Sequence, residues 1–262
     1  MQLKNVKTGL LVSVFLIGSL PFGNAVADGV TTGVDSRTRG EYTEKGNIQA
    51  NPANGNYRST QRTRVSIDGK AGDVSSSVTA EENHNWSSFS DGGELNLYEA
   101  WVQWGTDVTF RVGRQEFSMD EGRLMGNDDW NNGRSYDGVL VGYKSGDYNL
   151  NLFATRLDGR DLFVLNPSTS LSGIDVSIPI MYQTNAIVGG SMDLTNVTAG
   201  VYAKSDGDLS WRLEGYFQQA SMTMGDADPV TTNALLVSVA LGYKIADNLV
   251  PQLNVDYTGA KG

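Results

Sequence analysis

The chain has 262 residues, enough for one large domain, and a formal net charge of -10. Such an acidic chain is a poor ligand for nucleic acid, because phosphate contacts require a surplus of Lys and Arg. It contains a single histidine, His84, and no cysteine. The absence of cysteine excludes disulfides, thiolate nucleophiles and thiolate metal sites.

The first 27 residues have the layout of a secretory signal peptide. Lys4 and Lys7 form a short basic region, residues 10–20 are mostly apolar, and Ala25-Val26-Ala27 is a small-x-small cleavage site. The apolar run is too short for a spanning helix, which needs about 20 apolar residues. We therefore predict cleavage after Ala27, with residues 28–262 forming one exported domain.

The rest of the chain is dominated by the period-two alternation of β-strands. Leu95–Trp104 and Val108–Gln115 both alternate, and the three residues between them make a hairpin turn. The predicted strands are 32–42, 60–70, 74–86, 95–104, 108–115, 135–144, 148–156, one or two within 188–204, 209–220, 233–245 and 249–257. These make about 11–12 strands, many near the 9–11 residues that cross a bilayer at a tilt.

Connections between these strands alternate in length. The short ones are 105–107, 145–147, 205–208 and 246–248, and the long ones are 42–59, 87–94, 118–134, 159–185 and 221–232. Short turns on one side and long loops on the other are typical of transmembrane barrels. A soluble β-sandwich also alternates, but its strands are shorter and it needs a second apolar layer, whereas the second face here carries Arg, Glu and Asn. We predict an all-β fold, an antiparallel transmembrane β-barrel.

The segment Leu97–Tyr143 carries the most specific pattern. It contains Gly113-Arg114-Gln115-Glu116, Gly122-Arg123-Leu124-Met125-Gly126, Asp129-Trp130 and Arg134-Ser135-Tyr136-Asp137-Gly138. This run resembles the alginate-export family of outer-membrane porins, with Tyr136 standing where Phe is usual. Arg37-Thr38-Arg39 and Arg62-Thr63-Arg64 also resemble the Arg-x-Arg openings of the family's first two strands.

The resemblance implies a monomeric, 18-stranded barrel in the bacterial outer membrane, with an arginine-rich lumen that passes an acidic polysaccharide. Independently of it, Arg37 shares a face with Arg39, Arg62 shares one with Arg64, and Arg111 alternates with apolar neighbours. Because Arg facing lipid at the midplane costs about 2–4 kcal/mol, these side chains should point into the lumen. There they could bind uronate carboxylates bidentately, or pair with lumen acids that stiffen the wall.

Residues 118–134 are expected either to fold inward as a constriction or to anchor the rim through salt bridges. The predicted lumen and constriction residues are Arg37, Arg39, Arg62, Arg64, Arg111, Arg114, Arg123 and Arg134. The predicted structural anchors of the loop are Glu116, Asp129, Trp130 and Asp137. The acid pairs Asp128-Asp129 and Asp226/Asp228 could hold Ca²⁺, but such pairs are common in loops, and we predict neither a metal nor a cofactor.

Three functions are compatible with these features. The first is a channel for an anionic, alginate-like polysaccharide or oligosaccharide, and the second is a general or other-solute porin with the same fold. The third, a secreted enzyme using Glu81/Glu82 or Asp128/Asp129, is disfavoured because adjacent acids on a strand point to opposite faces. We therefore predict no enzyme, with outer-membrane lipid and an anionic polysaccharide or small solutes as partners.

The last residues, Tyr257 to Gly262, look turn-like and lack the closing aromatic residue that the family has. An 18-stranded barrel also needs more residues than follow the last predicted strand. Because unpaired strand edges are not viable in lipid, we expect the chain to be about two thirds of a longer protein. The alternative is a smaller barrel of about 10–12 strands that closes 249–257 onto 32–42.

Overall fold

The computed structural model describes residues 29–43, 56–86, 93–127, 133–157, 159–185, 192–224, 227–245 and 250–261. The predicted signal peptide lies outside these ranges, as do Asp129 and Trp130. Among the described residues, no helix is long and apolar enough to cross a membrane. The strands fall into two compact units that divide within the fourth strand, after Val102.

Fourteen strands are present in the described ranges, against about 11–12 predicted. They are β1 Gly29–Thr43, β2 Asn56–Ala71, β3 Val74–Asn85, β4 Glu94–Trp104, β5 Val108–Gln115, β6 Tyr136–Ser145, β7 Tyr148–Leu157, β8 Arg160–Leu171, β9 Ile174–Ser177, β10 Ile180–Asn185, β11 Met192–Ser205, β12 Leu209–Met224, β13 Val230–Tyr243 and β14 Gln252–Lys261. In the first unit β2 pairs with β1 and β3, and in the second unit antiparallel ladders connect β5 through β14.

The predicted long loop over residues 159–185 is wrong, because this stretch forms β8, β9 and β10. β9 and β10 act as one strand interrupted at Ile178-Pro179, and both pair with β8 and β11 in an unchanged register. Pro179 has no N–H to donate, yet its carbonyl oxygen accepts from Gly200 N over 3.0 Å. Pro179, like Pro167 within β8, therefore does not end the pairing of the strands.

Two further boundaries differ from the sequence prediction. β11 is one continuous strand, so of the two alternatives left open for residues 188–204 the structure has the single strand from Met192 onward. β14 continues to Lys261, through the stretch predicted as a turn-like tail, because Gly259 and Ala260 pair with Leu235 and Ala234 of β13. In both places the hydrogen bonds of the neighbouring strand outweigh weak local strand propensity.

The strands of the second unit have an apolar face and a polar face. In β12, Leu209, Leu213 and Phe217 are exposed, whereas Glu214 and Tyr216 between them are buried. From Leu209 to Phe217 the apolar face extends about 27 Å along the strand. That length matches the apolar band of about 25 Å that transmembrane barrels present to lipid. Beyond it the face turns polar.

The polar face of β6–β8 is covered by the connection between β5 and β6. Buried apolar residues of this connection pack against buried residues of the strands, and Phe117 stacks on Phe153 with ring centroids 4.3 Å apart. The cluster consists of Phe117, Met119, Met125, Tyr136, Phe153, Leu162 and Val164. This packing fixes the path of residues 117–125 of the connection, whose tip continues toward β11–β14.

Candidate functional site

The arginine ladder consists of Arg37, Arg39, Arg62 and Arg64, four residues on the polar face of β1 and β2. Arg37 lies directly opposite Arg62 in the β1–β2 register, and Asp35 lies opposite Arg64. Like charges placed opposite each other are destabilising without a counter-charge. Asp35 supplies it, since its Oδ2 lies 2.9 Å from Nη2 of Arg62 and 3.2 Å from Nε of Arg37.

Arg64 is held by neighbours on two further strands of the first unit. Its Nε donates to Oε2 of Glu81 over 2.6 Å, and Asn83 donates to the other oxygen of that carboxylate over 2.7 Å. The guanidinium also lies 3.6 Å from the ring centroid of Tyr98 in β4, a cation–π contact. The planar group is therefore fixed in orientation on the polar face.

The ladder lies at one end of the apolar rows of β1–β3. Val34, Val65 and Ala80 form the last apolar row on the opposite face of β1–β3. The next row is Ser36, Thr63 and Glu82, and Gln61 follows with hydrogen bonds of 3.4 Å to Ser36 and 3.1 Å to Thr63. Because Arg37 and Arg62 lie between these polar rows, the ladder stands beyond the apolar rows of β1–β3, at the end where residues 44–55 connect the strands.

A second polar cluster forms where the β5–β6 connection meets β9 and β11–β14. A row of register partners crosses the polar face of these strands: Ser177, Tyr202, Glu214, Ser238 and Asp256. The connection runs along this row, and its Asp120, Glu121 and Arg123 contact successive members of it. On the opposite face the adjacent row pairs Leu213 with Val239, so the loop reaches the middle of the apolar band.

The tip of the connection is a left-handed turn. Asp120, Glu121 and Gly122 have φ values of 50°, 57° and 84°. For residues other than glycine this conformation costs about 1–2 kcal/mol each. Side-chain contacts of Asp120 and Glu121 hold the two strained residues in place, and Gly122 adopts its conformation without that cost.

Asp120 makes the first contact along the row. Its Oδ1 accepts a hydrogen bond from the Ser177 hydroxyl over 2.5 Å. Burial raises the pKa of the Asp120 carboxyl, and the Ser177 hydrogen bond opposes this effect only in part. The loop is thus attached here by a carboxyl group that resists ionisation.

Glu121 and Arg123 attach the tip by charge. The Tyr202 hydroxyl donates to Glu121 over 3.0 Å, and Arg212 makes an ion pair with the same carboxylate. Nε of Arg123 lies 2.6 Å from Oε2 of Glu214, which is 1% exposed, and Nε of Arg212 lies 2.8 Å from the other oxygen. Buried charge is tolerated here because each carboxylate has a guanidinium partner.

A cavity of about 290 Å³ opens beside these ion pairs. Its lining residues are Asp120, Glu121, Gly122, Arg123, Arg212 and Glu214. With Lys204 and Asp256 included, three cationic groups face four acidic ones, so this cluster carries no surplus of positive charge. It differs in this respect from the arginine ladder.

The other predicted site residues are dispersed. Arg111 lies on the polar face of β5 and donates to Gln103 over 2.9 Å. Arg114, three residues further along, lies on the opposite face and forms a bidentate pair with Asp137, at 2.9 and 2.6 Å. Glu116 is half-buried, and the exposed Arg134 donates its backbone N–H to Asn127 over 2.8 Å. The structure therefore does not bring Arg111, Arg114 and Arg134 into one site.

Of the second polar cluster, here called the loop cluster, the sequence predicted Arg123 but not its partners on the strands. Arg212 and Glu214 alternate with Leu213 in β12, and this period-two signal could have placed both on the polar face. Nothing local marks Tyr202, Ser238 or Asp256 as partners, because the cross-strand register creates the row. In the ranges that the structure describes, no group of three or more His, Asp or Glu is arranged to hold a metal ion.

Comparison with solved structures defines the class of protein. OmpT of Vibrio cholerae, an outer membrane protein in its trimer form, matches with a TM-score of 0.59 and 14% identity, over 89% of this chain and 79% of that one. An anion-selective porin from Comamonas acidovorans matches with a TM-score of 0.55 and 14% identity, over the same shares of each chain. The fold is that of outer-membrane β-barrel porins, and the exposed apolar face is the surface that such barrels present to lipid.

The family is defined by sequence. Residues 29–156 match the family described as alginate export. The matched range contains both Arg-x-Arg openings and the motif from Gly113 to Gly138, so the resemblance predicted from these residues is confirmed. No curated protein matches the chain. The protein is thus a bacterial outer-membrane channel protein. The predicted localisation in the outer membrane is confirmed.

Proposed function

We propose that this outer-membrane channel passes an anionic polysaccharide or oligosaccharide of the alginate type along the arginine ladder. The register that sets Arg37 opposite Arg62, with Arg39 and Arg64 one row away on either side, carries the proposal. In the described part of β1–β3, four guanidinium groups meet two carboxylates in these rows, a local surplus of positive charge in a chain of net charge -10. Such a local surplus attracts anions despite the overall charge.

Arginine suits uronate recognition because its planar guanidinium binds a carboxylate through two parallel hydrogen bonds. Successive rows of the ladder lie roughly 7 Å apart along the strands. The side chains of Arg62 and Arg64 are only 4% and 12% exposed, so these two supply charge, and a polymer with a carboxylate on every sugar can exchange between the more accessible Arg37 and Arg39. Several weak sites in series favour passage over tight retention. Asp35 and Glu81 pair with arginines of the ladder, which lowers the affinity of those arginines for a uronate carboxylate and so also favours passage.

A general anion-selective or other-solute porin is the second candidate. The charge balance of the loop cluster favours it, because a polyanion gains nothing from a group of three cations and four acids. An anion-selective porin also shares the fold, and the 14% identity conveys nothing beyond that. We further propose, from the family resemblance, that the barrel is monomeric, which light scattering of the detergent-solubilised protein would test.

Planar-bilayer recording tests the proposal. The reversal potential in a salt gradient should show anion selectivity, and micromolar polyuronate should reduce the current. Selectivity without block would favour the second candidate, and cation selectivity would contradict both. Arg37→Gln with Arg62→Gln should weaken selectivity and block together. Arg156→Gln, which removes an exposed arginine from the apolar side of β7, is the matched control and should change neither.

A further inference from the structure

A row of four charged side chains crosses β5 to β8 on the apolar face. Arg114 and Asp137 are register partners between β5 and β6, and Arg156 and Asp161 are partners between β7 and β8. β6 and β7 are themselves paired, and Asp137 and Arg156 each lie two residues beyond the pair Val139↔Ala154. We call Arg114, Asp137, Arg156 and Asp161 the charged collar.

Both pairs of the collar are bidentate. Arg156 donates from Nε and Nη2 to Asp161 over 2.7 and 3.2 Å, and Arg114 binds Asp137 in the same way. The Arg156 side chain is 63% exposed, so the pair with Asp161 leaves much of its guanidinium accessible. The aspartates hold the arginines against the sheet and do not enclose them.

The collar lies immediately outside the apolar band. The next row toward the middle of the band runs from β5 to β10 and ends in two aromatic residues. It contains Val112, Val139, Ala154, Phe163 and Tyr182. Phe163 and Tyr182 stack with centroids 6.4 Å apart. Aromatic residues form girdles where the surface of a barrel leaves the hydrocarbon. The charged row beyond them is therefore at the level of the lipid head groups.

The side of the membrane follows from the connections. Residues 116–135 leave β5 at the collar, whereas the opposite ends of β6 and β7 are joined by the short turn at residues 146–147. Long connections are extracellular in outer-membrane barrels and short turns are periplasmic. The collar accordingly faces the outer leaflet, whose lipid is a phosphorylated glycolipid.

We propose that the charged collar binds the phosphate of a glycolipid head group in the outer leaflet. Guanidinium groups match phosphate oxygens bidentately. Because the row holds two arginines and two aspartates, the proposal rests on hydrogen-bond donation by the exposed Arg156 and its partner Arg114, and not on a surplus of positive charge. The collar faces away from the polar side of the sheet, so this inference is independent of what the channel passes. Arg114, expected from sequence to line the lumen, would instead fix the barrel in its lipid.

Retention of lipid A tests the proposal. The full protein is exchanged into detergent with bisphosphorylated lipid A, and bound lipid is measured by native mass spectrometry. The wild type should retain at least tenfold more of this lipid than of its dephosphorylated form. Arg114→Gln with Arg156→Gln should retain at least tenfold less, while Arg160→Gln, a matched loss of charge on the polar side of β8, should retain it fully.

Two results would overturn the proposal. One is equal retention by the wild type of the phosphorylated and dephosphorylated lipids, which needs no variant and therefore decides even if the double variant does not fold. The other is displacement of lipid A by inorganic phosphate alone, which would make the collar a site for free phosphate. Heat-modifiable electrophoretic migration establishes that each variant is folded.

Discussion

Arg123 of the β5–β6 connection lies with its Nε 2.6 Å from Oε2 of Glu214 in β12, a carboxylate that is 1% exposed. Loop and wall therefore share a charge pair near the middle of the apolar band. Arg212 is the second cation beside Glu214, and Asp256 accepts from Arg123 over 3.3 Å. This pair explains why a strained tip stays docked on the wall.

Replacing Arg123 with glutamine should release the tip. Breaking a buried pair costs up to about 3–5 kcal/mol, but Arg123 is partly exposed and Arg212 remains, so we expect a loss of about 1–3 kcal/mol. Urea unfolding in detergent, followed by tryptophan fluorescence, measures it. The pair of Arg156 with Asp161 is exposed and screened by solvent, so Arg156→Gln is the control and should lose far less stability. Equal losses in both variants would contradict the docking role of Arg123.

Asp120 should make docking of the loop depend on pH. The pKa of Asp120 is raised above the ordinary value of 3.8 in the docked loop. Asp120 therefore stabilises docking most at a pH where its carboxyl is protonated in both the docked and the released loop. This contribution is lost as the pH rises from 3.8 through the higher pKa of the docked state. Each pH unit that separates the two pKa values corresponds to about 1.4 kcal/mol. Asp120→Asn keeps a neutral partner for Ser177 and should remove this pH dependence.

Thermal unfolding of the two proteins from pH 3.8 to neutrality measures the effect of Asp120. The variant should gain stability over the wild type as the pH rises, and the two should converge at the acidic end. Ser177→Ala is a useful companion, since it removes the hydrogen bond that partly opposes the rise in pKa and should steepen the wild-type trend. A constant difference between Asp120→Asn and wild type at every pH would show that Asp120 does not titrate in this range.

Much of this arrangement follows from period-two alternation. The hairpin of β5 with its neighbours, the shared face of Arg37 and Arg39, and the family motif were all readable in the chain. Alternation also separates Arg111 from Arg114, because residues three apart on a strand lie on opposite faces. Treating both as lumen residues overlooked this parity, and the structure places Arg114 on the apolar side.

The rest required tertiary information. β8 contains Leu162-Phe163-Val164-Leu165, which is apolar on both faces because the loop covers its polar side, so no alternation marked it as a strand. The row from Ser177 to Asp256 depends on the registers of four ladders, which no single strand encodes. The height of the arginine ladder likewise emerges only when apolar rows on three strands are aligned.

The apolar band gives a depth-dependent prediction. Val239 lies mid-band on the apolar face of β13, and Thr231 lies on the same face beyond its edge. Val239→Arg should cost about 2–4 kcal/mol in lipid and Thr231→Arg about 0–1 kcal/mol. Reversible folding into lipid vesicles measures both. Equal costs would place the boundary of the band elsewhere.

Anion selectivity should depend on the ladder charge by charge. A unit charge about 4 Å away contributes about 1 kcal/mol in water, a factor of about five in local anion concentration. Arg39→Gln should therefore lower the anion-to-cation permeability ratio by up to that factor. Thr38→Gln, its neighbour on the opposite face, is the matched control and should leave the ratio unchanged. The effect should diminish at high salt, because Arg39 is partly exposed.

Passage of an anionic polysaccharide along the arginine ladder is the central claim. Current block by polyuronate in single channels of the wild type and of Arg37→Gln with Arg62→Gln tests it most directly. We predict anion-selective channels that polyuronate blocks reversibly, with block weakened severalfold in the double variant and unchanged in Arg156→Gln. Channels that ignore polyuronate, or block that is equally strong without the two arginines, would contradict it.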